Sequence, residues 1–237
     1  MPPQFHPGDV ISYIEMCRAV GTSLQRGMNY RLCGNESVIL MSRRVGAPYE
    51  DEIDGSGRIL IYEGHDCSKT STCHEPKRID RPEFFPGGAL TQNGLFAASV
   101  KRHKYENASP ERVRVFEKIK DGIWVYNGTF ELVDYKLQPS RGRLVFKFTL
   151  KLLQSEDHVI EGDHSLELDD DRIIPSWVKL AVWKRDRGIC QILGCGATTG
   201  LHFDHIIPYS KGGSSKDPAN IQILCGRHNL AKHDRIE

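Results

Sequence analysis

Short apolar runs and alternating apolar and polar positions occupy the first two thirds of the chain, a pattern typical of β-strands. The clearest such segments are residues 37–41 (SVILM), 58–62 (RILIY), 113–118 and 143–153. Asn127-Gly128 interrupts a further apolar stretch at residues 123–135 and predicts a tight hairpin between two strands. Residues 37–153 are therefore expected to be mostly β, in a barrel or sandwich.

Helical and irregular segments flank these strands. Residues 90–100 have the composition of a helix start, whereas the first 40 residues are expected to be irregular. Residues 65–88 are polar and without periodicity, which predicts a long loop that is either functional or solvated. From Pro175 onward, Trp177 and its apolar neighbours recur at helical spacing.

A change in composition divides the chain. Many acidic residues fall between 155 and 172, which predicts a solvated acidic linker. We therefore expect an N-terminal domain at residues 1–154, a linker at 155–174 and a C-terminal domain at 175–237.

Composition limits the functional class. The chain has 237 residues and a formal net charge of +1, so a nucleic-acid-binding face would have to concentrate its basic residues locally. No signal-peptide core and no apolar run long enough to span a membrane is visible. Three of the seven cysteines share zinc-like spacing with a histidine. A cytoplasmic, reducing location is expected, with Cys17, Cys33, Cys67 and Cys73 as reduced thiols.

Two short-spaced pairs near the C-terminus predict a tetrahedral structural Zn²⁺ site. Four residues separate Cys190 from Cys195, and two separate Cys225 from His228. A unit of this size has a small core, so a metal would supply much of its folding free energy. The alternative is that the cysteines are small buried apolar residues.

The residues between these pairs predict phosphodiester hydrolysis. His205 is a candidate general base, and Asp204 and Asn229 offer oxygen ligands suited to Mg²⁺ or Mn²⁺. Asn220 can fix the His205 ring through a side-chain or backbone contact. Arg227 and Lys232 are candidate phosphate contacts. Apolar alternation predicts a hairpin followed by a short helix.

This stretch, with DHIIP, KGG, NIQILC and CGRHN, resembles the HNH (ββα-metal) endonucleases. The resemblance implies His205 as general base, Asp204 and Asn229 on a catalytic divalent ion, and Asn220 as the middle Asn of the motif. Asn229 stands where many members have His, as in an H-N-N variant. A zinc module that has lost catalysis is the alternative.

The N-terminal segments carry a second resemblance. Tyr49 heads an acidic turn and Tyr62 ends a predicted strand, and tyrosine rings can hold a planar base between them. The ordered motifs YEDEID, YEG, LTQN and DGIW are similar to the SET- and RING-associated (SRA or YDG) domain over most of residues 5–153. The resemblance implies a PUA-like twisted β-barrel, so the expected fold class is α+β, with a zinc-stabilised ββα-metal domain at the C-terminus.

Such domains flip 5-methylcytosine or 5-hydroxymethylcytosine out of duplex DNA. By position, Tyr49 and Tyr62 would stack on the base. Glu52 stands where the family usually has an Asp that reads the Watson-Crick edge, and Glu63 stands where a Thr often lines the modified carbon. Both are departures from the family pattern. The loop at residues 65–88 would lie where the family inserts a finger into the duplex.

Together these features predict a modification-dependent restriction endonuclease that binds double-stranded DNA containing modified cytosine. One HNH site cuts one strand, so double-strand cleavage would require a homodimer. The alternatives are a catalytically inactive reader of modified DNA, a nonspecific HNH nuclease, or an RNA-directed enzyme with the same catalytic module.

Overall fold

The computed structural model describes residues 5–25, 27–32, 36–44, 46–55, 57–67, 74–153, 173–233 and 235–236. The strands there are β1 (Asp9–Ser12), β2 (Met28–Asn29), β3 (Ser37–Met41), β4 (Glu52–Ile53), β5 (Ile59–Glu63), β6 (Glu111–Lys120), β7 (Ile123–Ser140), β8 (Arg143–Leu152), β9 (Leu201–His205) and β10 (Ile221–Cys225). The helices are α1 (Tyr13–Val20), α2 (Gln92–Tyr105), α3 (Ser176–Asp186) and α4 (Gly226–Lys232). The predicted α+β class is confirmed.

One branched sheet contains all of these strands. Its main path runs β10-β9-β1-β7-β6-β3-β2, and β7 also pairs with β8, which continues to β5 and β4. Every pairing is antiparallel except that of β3 with β6. The 18-residue β7 is long enough to serve both branches. Because β9 pairs with β1, the C-terminal hairpin extends the sheet of the N-terminal part.

The predicted hairpin at Asn127-Gly128 is wrong. Both residues lie inside β7, where the register against β6 shifts and forms a bulge. The Asn127 side chain is buried there and donates to Glu117 at 3.1 Å, while Lys179 of α3 donates to its Oδ1 atom at 2.7 Å. A tertiary contact therefore overrides the local turn preference, and the true hairpin turns are at Gly122 and Gly142, both with positive φ.

The expected irregular N-terminus contains a strand and a helix. Helix α1 begins with a capping box: Ser12 accepts from the backbone N–H of Glu15, and Glu15 accepts from the backbone N–H of Ser12. That Ser-x-x-Glu signal is visible in the sequence. The predicted helices near residues 90 and 175 are present as α2 and α3.

A shared core joins the two parts of the chain. Val178 and Val182 of α3 pack with Ile223 of β10 in one buried cluster, which also contains Ile119 and Val125 of the N-terminal strands. A larger cluster, with Tyr62, Phe96 and Phe148 among its members, fills the space beneath α2. The predicted acidic linker falls almost wholly on residues 154–172, outside the described part of the chain.

The structure also bears on the state of the cysteines and on the apolar character of the helices. Cys67 is disulfide-bonded, so the expectation that it is a reduced thiol is wrong, whereas Cys17 is free as expected. Within the described residues, no helix combines the length and apolar character that a membrane span requires.

Candidate functional site

Four predicted zinc ligands converge at one point. The ligand atoms of Cys190, Cys195, Cys225 and His228 all lie within 4.8 Å of one another. Cys225 ends β10 and His228 lies one turn into α4, while Cys190 and Cys195 come from the turn after α3. The hairpin and helix thus bring the second pair to the first.

The spacing fits a tetrahedral metal ion. The Sγ atoms of Cys195 and Cys225 are 3.8 Å apart, and the Nδ1 atom of His228 lies 3.4 Å from Cys190 Sγ and 3.3 Å from Cys225 Sγ. Metal–sulfur bonds of about 2.3 Å at tetrahedral angles separate two sulfurs by roughly 3.8 Å. The backbone N–H of His228 lowers the pKa of the Cys225 thiol, which favours the thiolate that a metal requires, whereas burial raises the pKa of Cys190.

The proposed base, His205, ends β9 and is held by a residue that sequence reasoning missed. Its Nε2 atom is 2.8 Å from the hydroxyl of Ser215, which is buried, and its ring meets Tyr209 edge to face at 6.4 Å. Both partners come from the segment between β9 and β10, so this segment sets the direction of the imidazole.

The Asn220 side chain fixes that segment. Its amide side chain accepts from the N–H of Ile207 at 2.9 Å and donates to the carbonyls of Ile207 and Ser214 at 3.1 Å each. Gly213 packs so closely here that a β-carbon would lie 1.7 Å from the Ile207 carbonyl oxygen. Asn220 and Gly213 therefore position Ser215, and Ser215 contacts the base.

Asp204 lies beside His205 on β9 and faces α4. Its Oδ2 atom is 3.0 Å from Lys232 Nζ and 3.4 Å from the side-chain nitrogen of Gln222, its cross-strand partner. Lys232 is buried and also donates to the carbonyl of His205 at 2.6 Å, so it braces the site from within. Asn229 lies on α4, which packs against β9. Asp204 and Asn229 present the oxygen donors that Mg²⁺ and Mn²⁺ prefer.

The edges of this region contain the predicted phosphate contact Arg227 and two histidines, His202 and His233. Arg227 is exposed and places Nη2 3.3 Å from Nε2 of His228. His202 lies at the β1–β9 pairing, where its Nδ1 atom is 2.6 Å from Asp9 Oδ1. His233 is exposed at the end of α4.

The predicted base pocket contains Tyr49, which is half-buried. The Arg81 guanidinium carbon lies 5.1 Å from the centre of the Tyr49 ring, and the His65 ring is near-parallel to it at 6.4 Å. Tyr62, in contrast, is fully buried in the core, and its hydroxyl has no partner among the described residues. Only Tyr49 of the two tyrosines has an accessible edge in this structure.

The two predicted glutamates differ sharply in environment. Glu63 is 3% exposed and forms ion pairs with Arg81 and with Lys147, the latter at 2.8 Å. Burial alone would raise the pKa of Glu63, but the hydrogen bond from Lys147 and the charge of Arg81 hold this pKa below its usual value. Glu52 is exposed on β4, opposite Ile61.

Asp51 is the acidic residue of the turn that points inward. It accepts from the backbone N–H groups of Ser42 and Glu63 at 3.1 Å each, and burial raises its pKa to about 7. Asp51 and Lys147 are not predictable as site residues, because nothing local in the sequence marks them as buried. The acidic turn and the basic loop were visible, but not which of their members faces inward.

Comparison with protein families identifies the C-terminal unit. Residues 190–235 match the family model described as HNH endonuclease. The C-terminal unit is therefore an HNH endonuclease domain, which confirms that part of the predicted resemblance and the predicted enzyme class, a phosphodiester hydrolase. No curated protein matches the chain.

Solved structures to which the chain is similar include SRA domains. The SRA domain of SUVH5 bound to fully hydroxymethylated CG DNA is 26% identical, with a TM-score of 0.45 over 65% of this chain and 93% of that one. The type IV phosphorothioation-dependent restriction endonuclease ScoMcrA is 15% identical, with a TM-score of 0.40 over 98% of this chain and 56% of that one. SUVH6 of Arabidopsis thaliana is 21% identical, with a TM-score of 0.39 over 65% of this chain and 26% of that one.

Proposed function

We propose that this protein is a modification-dependent DNA endonuclease that binds duplex DNA through a flipped 5-methylcytosine or 5-hydroxymethylcytosine and cuts the backbone nearby. The observation that carries the nuclease part is the β9–β10–α4 unit, which places His205 and Asp204 beside a Cys₃His cluster inside the HNH match. The base-reading part is supported by the sequence motifs around Tyr49 and by the buried polar groups beneath its ring.

In the proposed reaction, neutral His205 takes a proton from the attacking water while Ser215 holds its Nε2 side. Asp204 and Asn229 would hold one divalent ion, Mg²⁺ or Mn²⁺, which supplies charge stabilisation at the scissile phosphate. Lys232 is buried against Asp204, so we assign it to bracing this carboxylate rather than to contacting phosphate. Arg227, exposed at the start of α4, remains the proposed phosphate contact.

Zn²⁺ is the proposed occupant of the Cys₃His cluster, where it would hold the shape of the unit. A site with three thiolates and one imidazole binds zinc in preference to magnesium or calcium. These four residues would fill all four coordination positions of a tetrahedral ion, which would leave no open position for substrate. The cluster is thus proposed to be structural and the Asp204 region catalytic.

We propose that the shared sheet limits the distance between the modified base and the cleaved bond. Because β9 pairs with β1 and Lys179 bonds to Glu117 and Asn127, strand pairing and buried hydrogen bonds join the nuclease unit to the reader. We therefore propose a narrow range of distances between the modified base and the cut. Two copies, one for each strand, would be needed for a double-strand break.

One experiment tests the function: digestion of matched duplexes with cytosine, 5-methylcytosine or 5-hydroxymethylcytosine, with Mg²⁺ or Mn²⁺ and mapped ends. The wild type should cut only the modified duplexes, and His205→Ala should lose cleavage by roughly 10²–10⁴-fold, the contribution typical of a general base. Equal cutting of all three substrates would leave a nonspecific nuclease.

A reader without cleavage is the second candidate. The ion pair between Asp204 and Lys232 favours it, because the proposed metal ligand already has a cationic partner. Binding of modified duplex with no cleavage in either metal would establish this alternative.

A further inference from the structure

The least expected group near the proposed base pocket is Arg81. Its side chain is completely buried although it belongs to the polar loop, and its guanidinium lies over the Tyr49 ring. Nη2 donates to Glu63, and Nε donates to Asp66 at 3.1 Å. A flat cation thus occupies the place beside Tyr49 where a base would stack.

The contacts of this guanidinium are those that a cytosine would need. Both groups are planar, and both present N–H donors in the plane of the ring or fork. Cytosine offers its N4 amino group to a carboxylate, as the guanidinium offers Nη2 to Glu63. A site that holds one of them therefore has the stacking face and the acceptor required by the other.

We propose that Glu63 is the carboxylate that receives the amino edge of the flipped cytosine, and that Arg81 occupies this position in the DNA-free protein. The inference rests on the proposed function and assigns the base-reading role to Glu63 in place of Glu52. Glu52 is exposed on β4, whereas Glu63 lies in the buried cluster with Arg81.

Two unsatisfied groups show that Arg81 fits the site incompletely. Among the described residues, neither Nη1 of Arg81 nor the hydroxyl of Tyr62 has a hydrogen-bond partner, although both are buried. A buried polar group left unpaired has lost its hydrogen bonds to water without replacing them, which destabilises that arrangement. A cytosine brings acceptors, its O2 and N3 atoms, that a guanidinium lacks, and these can pair with the Tyr62 hydroxyl.

Glu63 can keep its charge when Arg81 leaves. Lys147 Nζ lies 2.8 Å from its second oxygen, and the backbone N–H of Glu50 donates to the same oxygen at 3.1 Å. One oxygen is therefore fixed by the fold, and the other is available to exchange Arg81 for a base. A cavity of about 530 Å³ lies next to this position, bordered by Tyr49, Asp66 and residues 74–78.

Arg81 and a flipped base would compete for the same position beside Glu63. The apparent affinity for a flipped base falls in proportion to the fraction of molecules in which Arg81 has left the site. Removing the guanidinium should therefore tighten binding of modified DNA, which is the reverse of what loss of a DNA-contacting arginine would do.

The test compares Arg81→Met with Arg143→Met. Arg143 is the matched control because it pairs with the same Asp66, at 2.7 Å, and donates to the Pro76 carbonyl, at 2.7 Å, rather than to Glu63. Binding is measured by anisotropy with labelled duplexes that carry one 5-methylcytosine or none, without divalent metal. Arg81→Met should bind the methylated duplex roughly tenfold or more tightly, whereas Arg143→Met should bind it like the wild type.

Arg81→Lys is the reserve if the methionine variant does not fold. It keeps the charge but loses the planar fork, so it should also tighten binding, though less. Adding Glu63→Gln to either variant should abolish the gain, because the charged acceptor is lost. Weaker or unchanged binding by a folded Arg81 variant would overturn the inference.

Binding of the two duplexes by the wild type distinguishes failure of this inference from failure of the proposed function. If it prefers methylated duplex but Arg81 variants gain nothing, the inference about Glu63 and Arg81 fails alone. If the wild type binds both duplexes equally, the proposed modified-base recognition fails, and this inference fails with it.

Discussion

Lys179 offers a direct test of how the two parts of the chain are joined. It lies on α3, its side chain is fully buried, and burial lowers its pKa. It donates to Asn127 at 2.7 Å and to Glu117 at 3.4 Å, both on N-terminal strands. Lys179→Met keeps the apolar stem but leaves the Glu117 carboxylate buried without its cationic partner, while Asn127 still donates to it at 3.1 Å.

The expected cost follows from that unpaired charge. Removing one partner of a buried ion pair costs about 3–5 kcal/mol, because the other charge stays desolvated. For a chain of this size, about 4 kcal/mol lowers the melting temperature by roughly 8–16 °C. In the double variant with Glu117→Gln no charge is left buried, so most of that loss should be recovered.

Urea and thermal unfolding followed by tryptophan fluorescence measure this, since Trp124 reports on β7 and Trp177 and Trp183 report on α3. Lys184→Met on the exposed face of α3 is the control and should change stability by less than about 0.5 kcal/mol. If the double variant is no more stable than Lys179→Met, the unpaired charge is not the cause, and the reasoning is refuted.

Three other outcomes test the zinc centre, a buried acid and the catalytic loop. Metal analysis should find one zinc per wild-type chain and much less in Cys225→Ser. The variant should also unfold at a lower temperature. A full zinc content in the variant would exclude this cysteine as a ligand. Burial raises the folded-state pKa of Asp51 to about 7, so its contribution to stability is complete below about pH 3.8 and is lost as the pH rises through about 7. The urea midpoint should therefore decrease as the pH rises from about 3.8 to about 7, and decrease less in Asp51→Asn, whereas an equal decrease in both would contradict the assignment. Gly213→Ala should displace the loop that orients His205 and reduce cleavage by about 100-fold with a smaller effect on melting, a result that normal cleavage would contradict.

The sequence by itself determined much of the chemistry. Cys190, Cys195, Cys225 and His228 were predictable as one cluster because short-spaced ligand pairs have few other uses in a small unit. The alternation in residues 201–205 and 221–225 predicted the hairpin because the side chains of a half-buried strand must alternate. Strands β3 and β5 were predictable from a different signal, their short continuous apolar runs, which are typical of strands buried on both faces.

Only the tertiary structure decided how distant residues face one another. Asn127-Gly128 has the local signal of a hairpin turn, yet it lies in a bulge within β7. Asn127 is held there by Glu117 and by Lys179 of α3, which is more than fifty positions further along the chain. In the same way, neighbouring acidic residues of one turn differ in that Asp51 is buried and Glu52 is exposed. Local propensity is worth fractions of a kcal/mol per residue, whereas satisfying a buried charge is worth several, so packing decides such positions.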